Sequence, residues 1–403
     1  MITCKSPRKV LRMALAVARD ALPAYSHRCS PRKFTQHQLF ACLVLKSSLK
    51  CDYRGVVSFL EDCGDLRAVI GLESVPHFTT LQKAANRLLR SKTSNRLLDA
   101  TLQRARHAGM GFRAGLCAAI DGSGFEAHHV SHYFVRRRAK GGESWQKTTY
   151  RRFPKAGIVV DCATHLILSA VPGRGPSPDY KHFLRAVRQA HDRQRLGTLI
   201  ADAGYDAEWA HEYLRIHLGI RSLIRPGAGR PTHRLPTSYW RRLMASRFDH
   251  ARYGQRWQVE TVFSMIKRRQ GSTVNARRCW TQSYALLLKA LTHNILILKR
   301  PPQVFYRAGQ RDLPADRPLR VAGRLRRVYG QQVGGTRGRS LHRPPEGTPR
   351  TTGFQNGVPG TAAPTRDRLR RHRSLQVSFE VHPPSGRREK DEERLGWAQP
   401  PGA

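Results

Sequence analysis

The chain is poor in acid. Among its 403 residues 28 are Asp or Glu against 72 Lys or Arg, leaving a net charge of +44. A compact monomer so positive repels itself, and phosphates relieve that repulsion. Nucleic acid is therefore the first partner to consider and an anionic membrane surface the second. Long apolar runs are missing as well. A spanning helix needs roughly 18 apolar residues, and the best candidate, Tyr284 to Leu298, is broken by Lys289 and His293, which excludes an integral membrane protein. The first residues, Met1 to Arg19, hold no uninterrupted apolar stretch ending in small residues, so no secretion is expected. The eight cysteines contain no C-x-x-C pair, which fits a reducing cytoplasm and argues against a cysteine-based zinc site.

Composition divides the chain. Residues 301–403 carry 20 basic and 9 acidic side chains together with 13 of the 24 prolines, and few apolar clusters. Such a segment buries too little surface to offset its ordering entropy, and a disordered tail is expected over 301–403. Residues 1–300 keep 52 basic against 19 acidic residues, so the charge belongs mainly to the folded part. Residues 1–112 read as helical. His37 to Lys46, Tyr53 to Glu61 and Thr80 to Leu98 show apolar residues at three- and four-residue spacing. Thr79 or Thr80 is expected to cap a helix that presents Lys83, Asn86, Arg87, Arg90 and Lys92 on its wet side, a shape suited to a DNA groove. An ordinary solvated helix face would show the same pattern.

From 113 to 300 the pattern turns to α/β. Apolar runs at 115–120, 157–161, 165–171, 197–201 and 219–224 predict strands, with a helix from Asp179 to His191 and another starting near Asp206. Hairpin strands feeding crossover helices predict a mixed sheet flanked by helices. Two runs end in an acid, Ile120-Asp121-Gly-Ser-Gly and Ala201-Asp202-Ala-Gly-Tyr-Asp206. A carboxylate where a buried strand emerges stands where open α/β sheets build their sites. Either could instead start a turn, although Asp206 is better placed than Asp202 to cap the following helix.

A third acid lies in Tyr253-Gly-Gln-Arg256-Trp-Gln-Val-Glu260-Thr-Val-Phe-Ser-Met-Ile-Lys267. Read as one helix at about 100° per residue, this segment lines Tyr253, Arg256, Glu260 and Lys267 along one arc beside an apolar stripe of Val259, Val262 and Ile266. A plain ion-pair face is the simpler explanation, but Tyr253 belongs to no ion pair and Trp257 widens the arc into an edge suited to stacking.

These motifs, in this order, resemble the DDE transposases of bacterial insertion sequences, in particular the group whose third acid lies in Y-x2-R-x3-E-x6-K. Tyr253, Arg256, Glu260 and Lys267 match at all four positions, and the likeness spans about residues 30–299. The resemblance implies a ribonuclease H-like fold with an N-terminal helical DNA-end-binding region over 1–112 and a catalytic domain over 113–300. It implies that Asp121, Asp202 and Glu260 hold two Mg²⁺ or Mn²⁺ ions, and that Tyr253, Arg256 and Lys267 contact DNA phosphates. It further implies cleavage at the terminal inverted repeats and transfer to target DNA, by a homodimer on DNA in the cytoplasm, associated with the nucleoid. A nuclease or resolvase on the same fold, or an inactive or domesticated DNA-binding protein, would carry the same fold.

Two weaker patterns compete. Gly122-Ser-Gly124-Phe-Glu-Ala127 matches a dinucleotide-binding G-x-G-x-x-A, although Asp121 would then face the pyrophosphate. His128 and His132 have the spacing of zinc ligands on one helix face.

Overall fold

In a computed structural model, residues 6–110, 115–128, 132–138, 145–227 and 235–298 are described. The disordered tail expected over 301–403 lies outside them. Six helices come first: α1 (Pro7–Ala21), α2 (Gln36–Leu49), α3 (Tyr53–Asp62), α4 (Gly64–Ile70), α5 (Phe78–Leu88) and α6 (Ser91–His107). Local chemistry sets their starts. Ser6 accepts from the Lys9 N–H with Pro7 in the first turn, Thr35 and Gln38 form a capping box, and Asp52 accepts from the Gly55 N–H.

Then come β1 (Leu116–Gly124), β2 (His132–Arg138), β3 (Trp145–Arg151), β4 (Phe153–Asp161), β5 (Ile167–Gly175), α7 (Tyr180–Arg193), β6 (Leu196–Ala201), α8 (Glu208–Glu212) and β7 (Arg221–Ile224). The chain continues through α9 (Tyr239–Ser246), α10 (His250–Tyr253), α11 (Trp257–Gln270) and α12 (Cys279–Ile297). Five strands form the main sheet in the order β5-β4-β1-β6-β7. β1, β4 and β5 are antiparallel, while β6 and β7 run parallel to β1. A meander of three strands extended by two parallel ones, with helices on both faces, is the ribonuclease H-like arrangement. Among the described residues strands β2 and β3 pair only with each other, His132 opposite Arg151.

Alternation along the strands sorts the core into two layers. On one face Ala118, Ile120, Val159, Leu168, Leu199 and Ala201 meet Phe183 of α7 and continue into Leu11, Phe40, Leu60 and Leu97 of the N-terminal helices. On the other, Ala119, Ile158, Val160, Ile200 and Leu223 meet Val259, Val262, Phe263 and Ile266 of α11. The apolar stripe expected around Glu260 is thus the face that seats α11 on the sheet. Helix α12 joins the layers, packing on α1, α2, α5, α6, α11, β4 and β5. Its polar residues are buried anchors. Lys289 donates to the carbonyls of Gln270 and Gly271, and Asn294 donates to the Ile167 carbonyl and Thr101 Oγ1 while accepting from the Ile167 N–H. No described helix is long and apolar enough to cross a membrane.

The structure corrects several sequence expectations. The helix expected from Thr80 to Leu98 is two, broken at Leu89 and Arg90, and the cap position is His77, whose Nδ1 lies 2.8 Å from Thr79 Oγ1. Gly122 and Gly124 lie inside β1 with no helix opening after them, so the dinucleotide pattern has no structural basis. His132 begins a strand, which removes the helical His128/His132 pair.

Candidate active site

Register places the first two acids side by side. Ile120 of β1 is the parallel neighbour of Ala201, the last residue of β6, so Asp121 and Asp202 each stand one residue further along adjacent strands. Neighbouring strands run roughly 4.8 Å apart. Asp121 pairs across β4 with Ile158, a residue of the α11 layer, and Asp202 follows Ala201 of the opposite layer. By alternation both carboxylates belong to the face that α11 covers.

The surroundings of Asp121 are acidic. Burial pushes its carboxyl up to about 6; the Gly122 N–H, donating to its Oδ1 at 2.7 Å, opposes this, Asp179 adds to the rise, Arg256 opposes it, and Asp202 adds again. Asp202 accepts from the Ala203 N–H at 2.7 Å and caps the 3-10 turn Ala203–Tyr205. Asp206, expected to cap the next helix, does something else. Its carboxylate is gripped by Arg241 and by the Gly227 N–H at 2.8 Å, while α8 starts at Ala207 without a side-chain cap. Glu208 reaches across to accept from the Trp240 and Arg241 N–H groups at the start of α9.

The third motif does not form one continuous helix. Tyr253 ends α10, Gly254–Arg256 form a 3-10 turn, and α11 begins only at Trp257. That turn packs on β1 and β6, which carries Tyr253 and Arg256 to the strand ends. Arg256 Nη2 lies 2.6 Å from Glu260 Oε1. Burial disfavours the Arg256 charge, but Glu260, Asp202, Tyr253 and Asp121 outweigh it and hold the guanidinium above its ordinary value. The Tyr253 hydroxyl is buried without a hydrogen-bond partner among the described residues, its ring 4.9 Å from that of Phe248. Lys267 reaches the sheet itself, its Nζ donating to Ser123 Oγ at 2.9 Å and lying 5.4 Å from the centre of the Phe125 ring. Trp257 is exposed.

All six candidates therefore belong to one edge of the sheet or to the segment packed on it. They do not close on a common point. Among the described residues no three His, Cys, Asp or Glu side chains stand close enough to hold a metal ion, and Glu260 is turned to Arg256. The chemistry of the donor set still fits hard divalent cations: Asp121 and Asp202 offer only carboxylate oxygens, and their mutual repulsion is what a cation would neutralise. Sequence reasoning missed Asp179 and Lys155, which sit under Gly122. Asp179 read only as a helix start, and nothing in its spacing to Asp121 brings the two together.

A family model described as Transposase DDE domain matches residues 92–295. No curated protein matches the chain. Among solved structures, the Mos1 mariner paired end complex with Mn is 11% identical, with 68% of this chain and 80% of that one covered and a TM-score of 0.20. A pre-cleavage Mos1 transpososome is 9% identical over the same shares at a TM-score of 0.19. Likenesses this low carry no weight for fold or function.

Proposed function

The chain belongs to the transposase DDE-domain family and is a transposase; from that premise we propose that it cuts DNA at the ends of a mobile element and joins the freed 3′-hydroxyls to target DNA. The observation carrying this reading is the placement of Asp121, one residue past the last β1–β6 pair, beside Asp202, which follows the end of β6, under the segment that bears Glu260. These three residues hold two divalent cations, Mg²⁺ or Mn²⁺. When bound, such a pair supplies activation of the attacking oxygen and stabilisation of the leaving one during in-line displacement.

The chain's own residues prepare that chemistry. Arg256, now paired with Glu260, is a planar fork suited to a phosphate. A terminal phosphate that takes the guanidinium frees Glu260 to turn toward Asp121 and Asp202, so the acidic set completes only on DNA. Tyr253, with its unpartnered hydroxyl, supplies a donor to the same phosphate, and Lys267 neutralises the next one along. Recognition of terminal inverted repeats falls to the helical region 1–112, the catalytic domain covers 113–300, and two copies act together on paired ends.

The test is to incubate the purified protein with DNA carrying its own flanking genomic ends and Mg²⁺, and to map the 3′ products. Cuts at the ends followed by joining to target support a transposase. Cuts without joining support a nuclease or resolvase. End binding with neither supports an inactive DNA-binding protein.

A further inference from the structure

Asp121 sits on a half-supported stretch of strand. On the β4 side the ladder continues to Gly124, but on the other side β6 ends opposite Ile120, so among the described residues Asp121 to Gly124 have a strand partner on one flank only. What lies beneath this stretch is unusual for a sheet face. Gly122 and its cross-strand partner Gly157 present no side chains to α7, and Gly173 opens the next strand in the same way. The first turn of α7 closes onto this bare floor. His182 covers Gly157 and Gly173, while Asp179 covers Gly122 so tightly that a Cβ there would overlap its carboxylate and come within 3.2 Å of Lys155 Cε.

The carboxylate is pinned. Asp179 is the residue before α7, yet its side chain does not cap the helix. It pairs with Lys155 at 2.7 Å instead, and Lys155 also donates to the Ser177 carbonyl at 2.9 Å, tying the β5–α7 connection to β4. The Lys155 side chain is 13% exposed and that of Asp179 31%. An ion pair this accessible to solvent adds little to stability, so stability alone is a weak reason for one here. Its location supplies a better one.

We propose that Asp179, held by Lys155, is a positioning residue for DNA cleavage: it supports the Gly122 backbone from below and so fixes the direction in which Asp121 presents its carboxylate. In support, a Cβ at Gly122, the residue after Asp121, would overlap the Asp179 Oδ1. A displacement of about 1 Å at a reacting group costs up to a hundredfold in rate. The inference rests on the reading of Asp121 as a metal-holding acid.

The experiment compares Asp179→Ala, Asp179→Asn, Gly122→Ala and the double variant Gly122→Ala/Asp179→Ala with the unaltered protein, and includes Asp202→Ala as control. The readouts are single-turnover cleavage of end DNA as a function of Mn²⁺, and Mn²⁺ bound by the protein–DNA complex, followed by electron paramagnetic resonance. Asp179→Ala is expected to cut cleavage about tenfold or more and to raise half-saturating Mn²⁺, with end binding unchanged. Asp179→Asn, which keeps the shape, should lie between. Gly122→Ala should be inactive alone and partly restored in the double variant, because the methyl then takes the space Asp179 vacates, a rescue that general loss of folding would not give. Asp179→Ala and Asp179→Asn with unaltered cleavage and Mn²⁺ dependence, or a double variant no better than Gly122→Ala, would overturn the inference. If Asp202→Ala itself still cleaves, the reading of the acids falls instead, whatever Asp179 does.

Discussion

Lys267 of α11 donates to Ser123 of β1, two residues beyond Asp121, at 2.9 Å. The bond ties the segment carrying the third acid to the strand carrying the first and holds a cation beside the strand ends. If that cation neutralises a DNA phosphate, Lys267→Ala should flatten the slope of log K against log salt by about one unit, with all sequences weakened alike. A purely structural bond predicts a stability loss of about 1 kcal/mol and no change in slope. End binding across a salt series separates the two, and superimposable slopes would defeat the phosphate assignment.

The Arg256–Glu260 pair leads to a sharper expectation. If phosphate capture releases Glu260, Arg256→Ala should release it without DNA. The DNA-free variant should then bind Mn²⁺ more tightly than the unaltered protein, while its affinity for end DNA falls. Calorimetry of Mn²⁺ binding in the absence of DNA checks this. Equal Mn²⁺ affinity would mean that Arg256 does not restrain Glu260.

Asp202 contributes little to the fold beyond one N–H cap, and losing such a cap costs about 1 kcal/mol. Asp202→Ala should therefore remain folded and bind ends, yet lose Mg²⁺-dependent nicking by orders of magnitude. Nicking assays beside thermal melts give the answer. Full nicking by this variant would remove Asp202 from the site.

Much of this site was legible in the sequence because two of its acids directly follow apolar runs. Apolar runs of the right length announce strands, and Asp202 does follow the close of one, whereas β1 runs on past Asp121 to Gly124 along β4. Asp179 was hidden because it packs under Gly122 on the face of the sheet opposite Asp121, a placement no local pattern encodes. The β2–β3 hairpin escaped for another reason: its sequence, His-Tyr-Phe-Val-Arg-Arg-Arg followed by Trp-Gln-Lys-Thr-Thr-Tyr-Arg, lacks an alternating apolar face. Lys289 and His293 read as breaks in an apolar run, whereas both are buried, with His293 bonded to the His165 carbonyl. Periodicity cannot distinguish a buried polar anchor from an exposed one.

End recognition by the helical region is best tested by substitution rather than deletion. Leu11, Phe40, Leu60 and Leu97 share one apolar layer with the strands, each fully buried, so removing residues 1–112 would strip the sheet. The exposed Lys83, Arg87 and Arg90 around α5 can be changed without touching that layer. Their triple replacement by Ala should lower the preference for element ends over random DNA in a competition assay and leave the melting temperature nearly unchanged. An unaltered preference would place recognition on another surface.

The last expectation concerns acid stability. Asp206 is 3% exposed, and burial alone would raise its pKa; the His211 imidazole 3.7 Å away, the bonds from Arg241 and Gly227 and the Arg241 charge outweigh burial and lower it to about 2. A carboxylate held below its unfolded value of 3.8 stabilises the fold in its charged form. That contribution, about 2 kcal/mol, is whole above the unfolded value and disappears as pH falls through 2, with about 1 kcal/mol gone by pH 3. Asp206→Asn keeps the shape but not the charge, so its stability should be lower near neutrality and should fall less between pH 5 and pH 3. Urea unfolding of both proteins across that window measures the difference directly. Because Arg241 lies in the first turn of α9, on the way to the turn bearing Tyr253 and Arg256, Asp206→Asn should also weaken end binding at neutral pH. Parallel stability curves would mean that the Asp206–Arg241 grip does not persist in solution.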